Sequence, residues 1–173
     1  MSGLVLTDDY RYVALIASLI GFQLTVTGFW AGGQRKKHFT PEFLKDNFQE
    51  EHEKHFPGTQ VSKEAYPDMG NGRYSQKLPY KSWYEFNNAQ RVHYNYLESA
   101  TIVITWLLIA GLRYEWVAVG AGSVYLLARL IYAIGYAAKG PAGRVIGFAL
   151  AFFSSLVLMV FAILSPLRLA GVY

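Results

Sequence analysis

Two groups of side chains and one isolated cation have the types and spacing to do chemistry. Arg91, Asn95 and Glu98 follow one another at four and then three residues, which on a helix keeps all three within about 60° of arc. Tyr125, Arg129, Tyr132 and Tyr136 repeat the pattern further along, again over about 60°. Arg144 follows after a short turn. The guanidinium forks of Arg91, Arg129 and Arg144 suit carboxylates, Glu98 accepts from an ammonium, Asn95 offers an amide and the tyrosines offer hydroxyls. A small zwitterion with two carboxylates fits this set. In a bilayer an unpaired Arg or carboxylate costs at least about 2.5 kcal/mol, so the two stripes are expected to face protein, water or a ligand. The plainer alternative pairs Glu98 with Arg91 or Arg129 to lock two helices together.

Other polar residues carry less. His52 and His55 have no third ligand beside them, the chain has no cysteine, and no metal site is expected. His93 points about 200° from Arg91, towards a neighbouring helix or subunit. Gln23, in the middle of an apolar run, reads as an interhelical hydrogen bond. Neither a Ser-His-Asp arrangement nor a phosphate-binding glycine loop is present in the sequence.

The elements that must position these groups are membrane spans. The chain has 173 residues, 53% of them apolar, and 18 of its 28 charged residues lie between Arg35 and Arg91. That segregation excludes disorder and an ordinary soluble globule and describes a membrane protein with one polar insert. Val13 to Gly33 is uncharged and of the roughly 20 residues a helix needs to cross the hydrocarbon. Val145 to Pro166 is also uncharged, and Trp116 to Ala138 holds only Arg129. The apolar run from Ser99 to Leu112 is short, so that span must reach back to about Phe86 and take in the polar stripe. The expected fold is therefore all-α, an integral-membrane bundle of four transmembrane helices at about 12–33, 86–112, 116–138 and 145–167. The insert, about 34–85, is expected to open with a short amphipathic helix capped by Thr40 and Pro41. Pro57-Gly58, Pro67-Asp68 and Gly70-Asn71-Gly72 then break regular structure, leaving loop that packs on the helix ends or stays mobile. Arg35, Lys36 and Lys37 after the first span, with Lys139 and Arg144, place the insert on the cytosolic face. The net charge of +4 comes with no basic helix or aromatic RNA-binding motif, so no nucleic-acid partner is expected.

The string FNNAQRVHYNYLE, Phe86 to Glu98, resembles the signature of the membrane-associated proteins of eicosanoid and glutathione metabolism, and within them the type-3 microsomal glutathione S-transferases. QRKK at Gln34 to Lys37, VYLLARLIYAIGYA from Val124 to Ala137 and the arginine at 144 agree with it. The resemblance implies a homotrimer holding glutathione between subunits at the cytosolic membrane edge. Its glutathione contacts fall on Arg91, Asn95, Glu98, Arg129, Tyr132 and Tyr136, with Arg35 and His93 at positions that in relatives serve the adjoining subunit. Arg144 falls on the arginine that faces the glutathione sulfur.

The expected activity is a glutathione transferase with possible peroxidase action on lipophilic electrophiles or lipid hydroperoxides dissolved in the bilayer. The endoplasmic reticulum is the expected membrane, with the outer mitochondrial or another organelle membrane as alternatives. Two other readings stand beside the enzyme: a non-catalytic lipid-binding scaffold of the same family, and an accessory subunit of a larger membrane complex that docks through residues 38–84. The insert is longer than in most relatives.

Overall fold

The computed structural model describes residues 6–63 and 68–172, and among these there are helices and no strands. Five α-helices follow in order: α1 (Tyr10–His38), α2 (Pro41–His55), α3 (Tyr80–Ala110), α4 (Glu115–Lys139) and α5 (Val145–Leu169). One 3-10 turn precedes α3 at Ser75–Lys77, and another joins α4 to α5 at Gly140–Arg144. Tyr10–His38 and the stretch Glu115–Leu169 are long and apolar enough to cross a membrane. The second holds two helices, because the turn folds α5 back onto α4. Two helices outlast the expected spans. The basic run Arg35, Lys36, Lys37 and His38 closes α1, where cations meet the negative end of the helix dipole, and α3 begins six residues before Phe86.

The chain divides into two compact units, and the division falls within α1 and α3. One comprises residues up to Thr27 and from Val92 onward; the other is Gly28–Arg91. In the first, α1, α3, α4 and α5 share one core that includes Val13, Ile20, Tyr96, Leu107, Tyr125 and Leu158. Burial along α4 follows the helical period through Ala118, Gly122, Tyr125, Ala128, Arg129, Tyr132 and Tyr136, while Leu127, Leu130 and Ile134 stay exposed. Gln23 makes the interhelical bonds its position implied: its amide donates to the Leu126 carbonyl at 3.2 Å and its oxygen accepts from the Tyr96 hydroxyl at 2.7 Å.

The unit Gly28–Arg91 has its own core of Phe39, Leu44, Phe48, Val61, Leu78 and Phe86. Thr40 caps α2 by accepting from the Phe43 amide at 3.2 Å, with Pro41 in the first turn. Leu44 and Phe48 form its buried face. Beyond α2 the chain is fixed by side chains rather than by regular structure. Gln49 pairs with the backbone at Thr59 and Val61. Asp68 accepts from the amides of Gly70, Tyr74 and Ser75 at 2.8 to 2.9 Å. Gly70, at φ +98°, turns its carbonyl to the Trp83 indole (2.7 Å) and the Asn87 amide (3.1 Å). A side chain there would strain the backbone and press on Asn87, whose amide nitrogen lies 2.8 Å from where a Cβ would stand. Residues 68–72 thus form a strap along the start of α3. Of the breakers named above, Pro67 lies outside the described residues.

Burial works against the Asp68 carboxylate, but the amide hydrogen bonds outweigh it and hold the pKa below its ordinary value. A depressed carboxylate pKa contributes stability that is present above its unfolded value and lost as pH falls through the folded value. Protection of the Tyr74 and Ser75 amides, taken relative to the intrinsic exchange rate at each pH, is therefore expected to persist at pH 5 and to fall below about pH 4. In Asp68→Ala it should already be low at pH 7, with a stability loss of about 2 kcal/mol.

Candidate functional site

Helix α4 gathers the site within the first unit. Arg129 is 5% exposed and lies between two aromatic faces, its guanidinium carbon 4.4 Å from the Tyr96 ring centre and 4.6 Å from that of Tyr132. Its Nη1 donates to the Asn95 amide oxygen at 2.8 Å and its Nη2 to the Val92 carbonyl at 3.4 Å. Nε makes no hydrogen bond. Among the described residues no carboxylate pairs with Arg129, so a buried charge is held by dipoles and π-faces alone. Such a centre keeps its attraction for an anion because nothing inside the unit neutralises it.

Tyr132 and Tyr136 are buried, with ring centres 5.5 Å apart. Arg144, half-buried in the 3-10 turn, lies with its guanidinium carbon 5.8 Å from the Tyr136 ring centre. Hydrogen bonding to the Tyr132 hydroxyl raises its pKa above the ordinary arginine value. Glycine makes this geometry possible. Gly135 and Gly143 meet backbone to backbone, and a Cβ on either would overlap the other's carbonyl. Gly147 also packs on the α4 backbone at Tyr132, less tightly, with the Ala128 carbonyl 2.8 Å from the position of a Cβ. Gly140, at φ +63°, turns the chain out of α4. Arg144 follows directly on Gly143, so the same contacts that close the turn set the guanidinium beside the two phenols.

The expected stripes come together only in part. Asn95 meets Arg129, one residue from each stripe, but Glu98 is exposed and makes no ion pair with Arg129 among the described residues. A lock of Glu98 onto Arg129 therefore has no contact behind it. His93 reaches α1, its Nδ1 3.1 Å from the Thr27 hydroxyl. Arg91 and Arg35 belong to the other unit, where Arg91 is exposed and Arg35 donates from Nη2 towards the Met69 sulfur at 3.7 Å. Tyr96 was absent from the sequence-level set. It stands one residue past Asn95, about 100° around the helix, so it fell outside the polar stripe although its ring covers Arg129. The glycines at 135, 143 and 147 were a readable signal that the polar pattern overshadowed. No group of three or more His, Asp or Glu among the described residues could hold a metal ion.

Comparison with known proteins gives two findings. The model of the MAPEG family matches residues 13–164, a range that takes in all of α3 and α4 and every site residue named above. An uncharacterized protein of Synechocystis sp. is 40% identical over 84 residues, 48% of this chain and 61% of that protein, so the match spans less than two thirds of the relative.

Proposed function

The chain belongs to the MAPEG family, the membrane-associated proteins in eicosanoid and glutathione metabolism, and from that premise we propose that it is a membrane-bound glutathione transferase with peroxidase capacity, of the type-3 microsomal kind. Its substrates are lipophilic electrophiles or lipid hydroperoxides that reach the site from the bilayer. The observation that carries this reading is Arg144 lying against Tyr136, whose ring neighbours that of Tyr132, the residue that covers the buried, carboxylate-free Arg129. Glutathione supplies two carboxylates and a thiol. Arg129 offers an anion-attracting centre, Asn95 an amide, and the exposed Glu98 and Arg91 an acceptor for the ammonium and a fork for a carboxylate. Exposure of the last two in a single chain suits a ligand shared with a neighbouring copy, the proposed homotrimer, to which Arg35 and His93 contribute.

A free thiol has a pKa near 8.5, so only a few per cent is thiolate at neutral pH, and the thiolate is the nucleophile. A permanent cation beside the sulfur favours the charged form without becoming a proton acceptor itself. With an electrophile the thiolate forms a thioether and expels the leaving group. With a hydroperoxide the thiolate attacks the distal oxygen and the O–O bond breaks; the alkoxide takes a proton and leaves as an alcohol, and the glutathione sulfenic acid is reduced by a second glutathione to the disulfide and water. The polar insert is proposed to lie on the cytosolic side of the endoplasmic reticulum membrane.

The test uses detergent-purified protein. Glutathione is expected to bind by calorimetry and to raise the ultraviolet thiolate absorbance at pH 7, and conjugation of a lipophilic electrophile should follow. Binding without any thiolate rise would support the scaffold reading instead. Comigration with a large assembly after mild extraction would favour the accessory-subunit reading.

A further inference from the structure

The strap places a methionine where two donors converge. Met69 is 52% exposed, and its sulfur takes Nη2 of Arg35 and Nε2 of Gln90, each at 3.7 Å. Gln90 is itself buried at 2% exposure, so a buried amide and a guanidinium both donate to a thioether, a weak acceptor. The arrangement is held from both sides. Asp68 grips the amides of Gly70, Tyr74 and Ser75, and the Gly70 carbonyl is tied to Trp83 and Asn87. The thioether of this half-exposed residue therefore sits on a strap tied at both flanks and faces two N–H groups. Of the remaining methionines, Met159 sits on the apolar α5 and Met1 lies outside the described residues.

We propose that Met69 is a reversible oxidation site whose thioether takes an oxygen atom from a hydroperoxide and whose sulfoxide is captured by Arg35 and Gln90. A sulfur lone pair attacks the distal peroxide oxygen, the S–O bond forms and the O–O bond breaks. The departing alkoxide takes up the proton that the transferred oxygen loses, so the products are a sulfoxide and an alcohol. Methionine loses two electrons and the hydroperoxide gains them. The sulfoxide oxygen is a strong acceptor, and N–H···O bonds form near 2.9 Å, so both donors, already aimed at the sulfur, shorten onto it. Reduction by a methionine sulfoxide reductase restores the thioether.

Capture draws the strap tighter onto α1 and α3 and commits the Arg35 guanidinium. On the proposed function, which assigns Arg35 to glutathione in an adjoining subunit, the oxidised protein binds glutathione more weakly. Hydroperoxide would then restrain the very site that consumes it.

The experiment treats detergent-purified protein with tert-butyl hydroperoxide, confirms one added oxygen on the Met69 peptide by mass spectrometry, and follows amide exchange at Gly70, Tyr74 and Ser75. Exchange is expected to slow several-fold on oxidation, to recover after reductase treatment, and to lose the oxidation response in Arg35→Leu. Met69→Leu, which keeps the volume and cannot be oxidised, should show no response to hydroperoxide. Unchanged or faster exchange in the oxidised protein overturns capture. Calorimetry on the same samples should show the glutathione Kd rising several-fold. Slowed exchange with an unchanged Kd overturns the link to the cofactor site, and absence of glutathione binding in both forms counts against the proposed function while the exchange result still decides capture.

Discussion

Replacing Arg144 by leucine is expected to strip bound glutathione of its thiolate at neutral pH while leaving it bound. Arg144 lies against the Tyr136 ring, whereas Arg129 and Asn95, which would hold the rest of the tripeptide, form their own contact without it. If the cation lowers the thiol pKa by about two units, roughly 2.7 kcal/mol, the thiolate share at pH 7 drops from about three quarters to about 3% when it is removed. Turnover should fall by less than that population, because the more basic thiolate is the better nucleophile, with a Brønsted slope near 0.4 to 0.5. The sign of the pH dependence follows. Above the free thiol pKa both proteins hold thiolate, so the deficit closes by about pH 9.5. The thiolate absorbance and kcat measured from pH 6 to 9.5 test this, with Arg144→Lys as the variant that keeps the charge. A deficit that persists undiminished at high pH would mean that Arg144 binds the substrate instead of ionising the thiol.

How far the sequence reaches depends on how each element announces itself. α4 and α5 were legible because nothing but Arg129 interrupts the apolar pattern of the first and nothing that of the second until Arg168. α3 was half hidden, since it is not apolar enough along its length to stand out as a span, and only the shortness of the run from Ser99 to Leu112 showed that the helix must reach back through Arg91, Asn95 and Glu98. Helical spacing fixed which side chains share a face but not what lies opposite. The same arc holds Asn95, in contact with Arg129, and Glu98, which is exposed. The insert resisted for a different reason. Its order past α2 rests on single side chains, Gln49, Asp68 and Trp83, bonding to backbone 12, 6 and 13 residues away. Such contacts leave no periodic trace, so Pro and Gly could announce the breaks but not the strap they allow.

The second large effect is expected from glycines that carry no side chain at all. In Gly143→Ala the new methyl would meet the Gly135 carbonyl, and in Gly135→Ala that of Gly143, both closer than real Cβ contacts come. The obstructing atoms are backbone, so the turn and α4 must move apart instead of a side chain rotating away. Overpacking of this kind costs about 1 to 3 kcal/mol, which in a chain of this size lowers Tm by several degrees at roughly 2 to 4 °C per kcal/mol. Because Arg144 is the next residue, either substitution should also shift its guanidinium from the phenols and reduce the thiolate signal. Stability loss and thiolate loss should therefore appear together. Gly120→Ala is the matched control: it lies within α4, nothing stands within 4 Å of its Cβ position, and alanine is the better helix former by up to about 1 kcal/mol. That variant should unfold at the same temperature or higher and keep its thiolate. If Gly143→Ala and Gly120→Ala behave alike, backbone contact between α4 and the turn does not position Arg144, and the guanidinium must owe its place to the phenols alone.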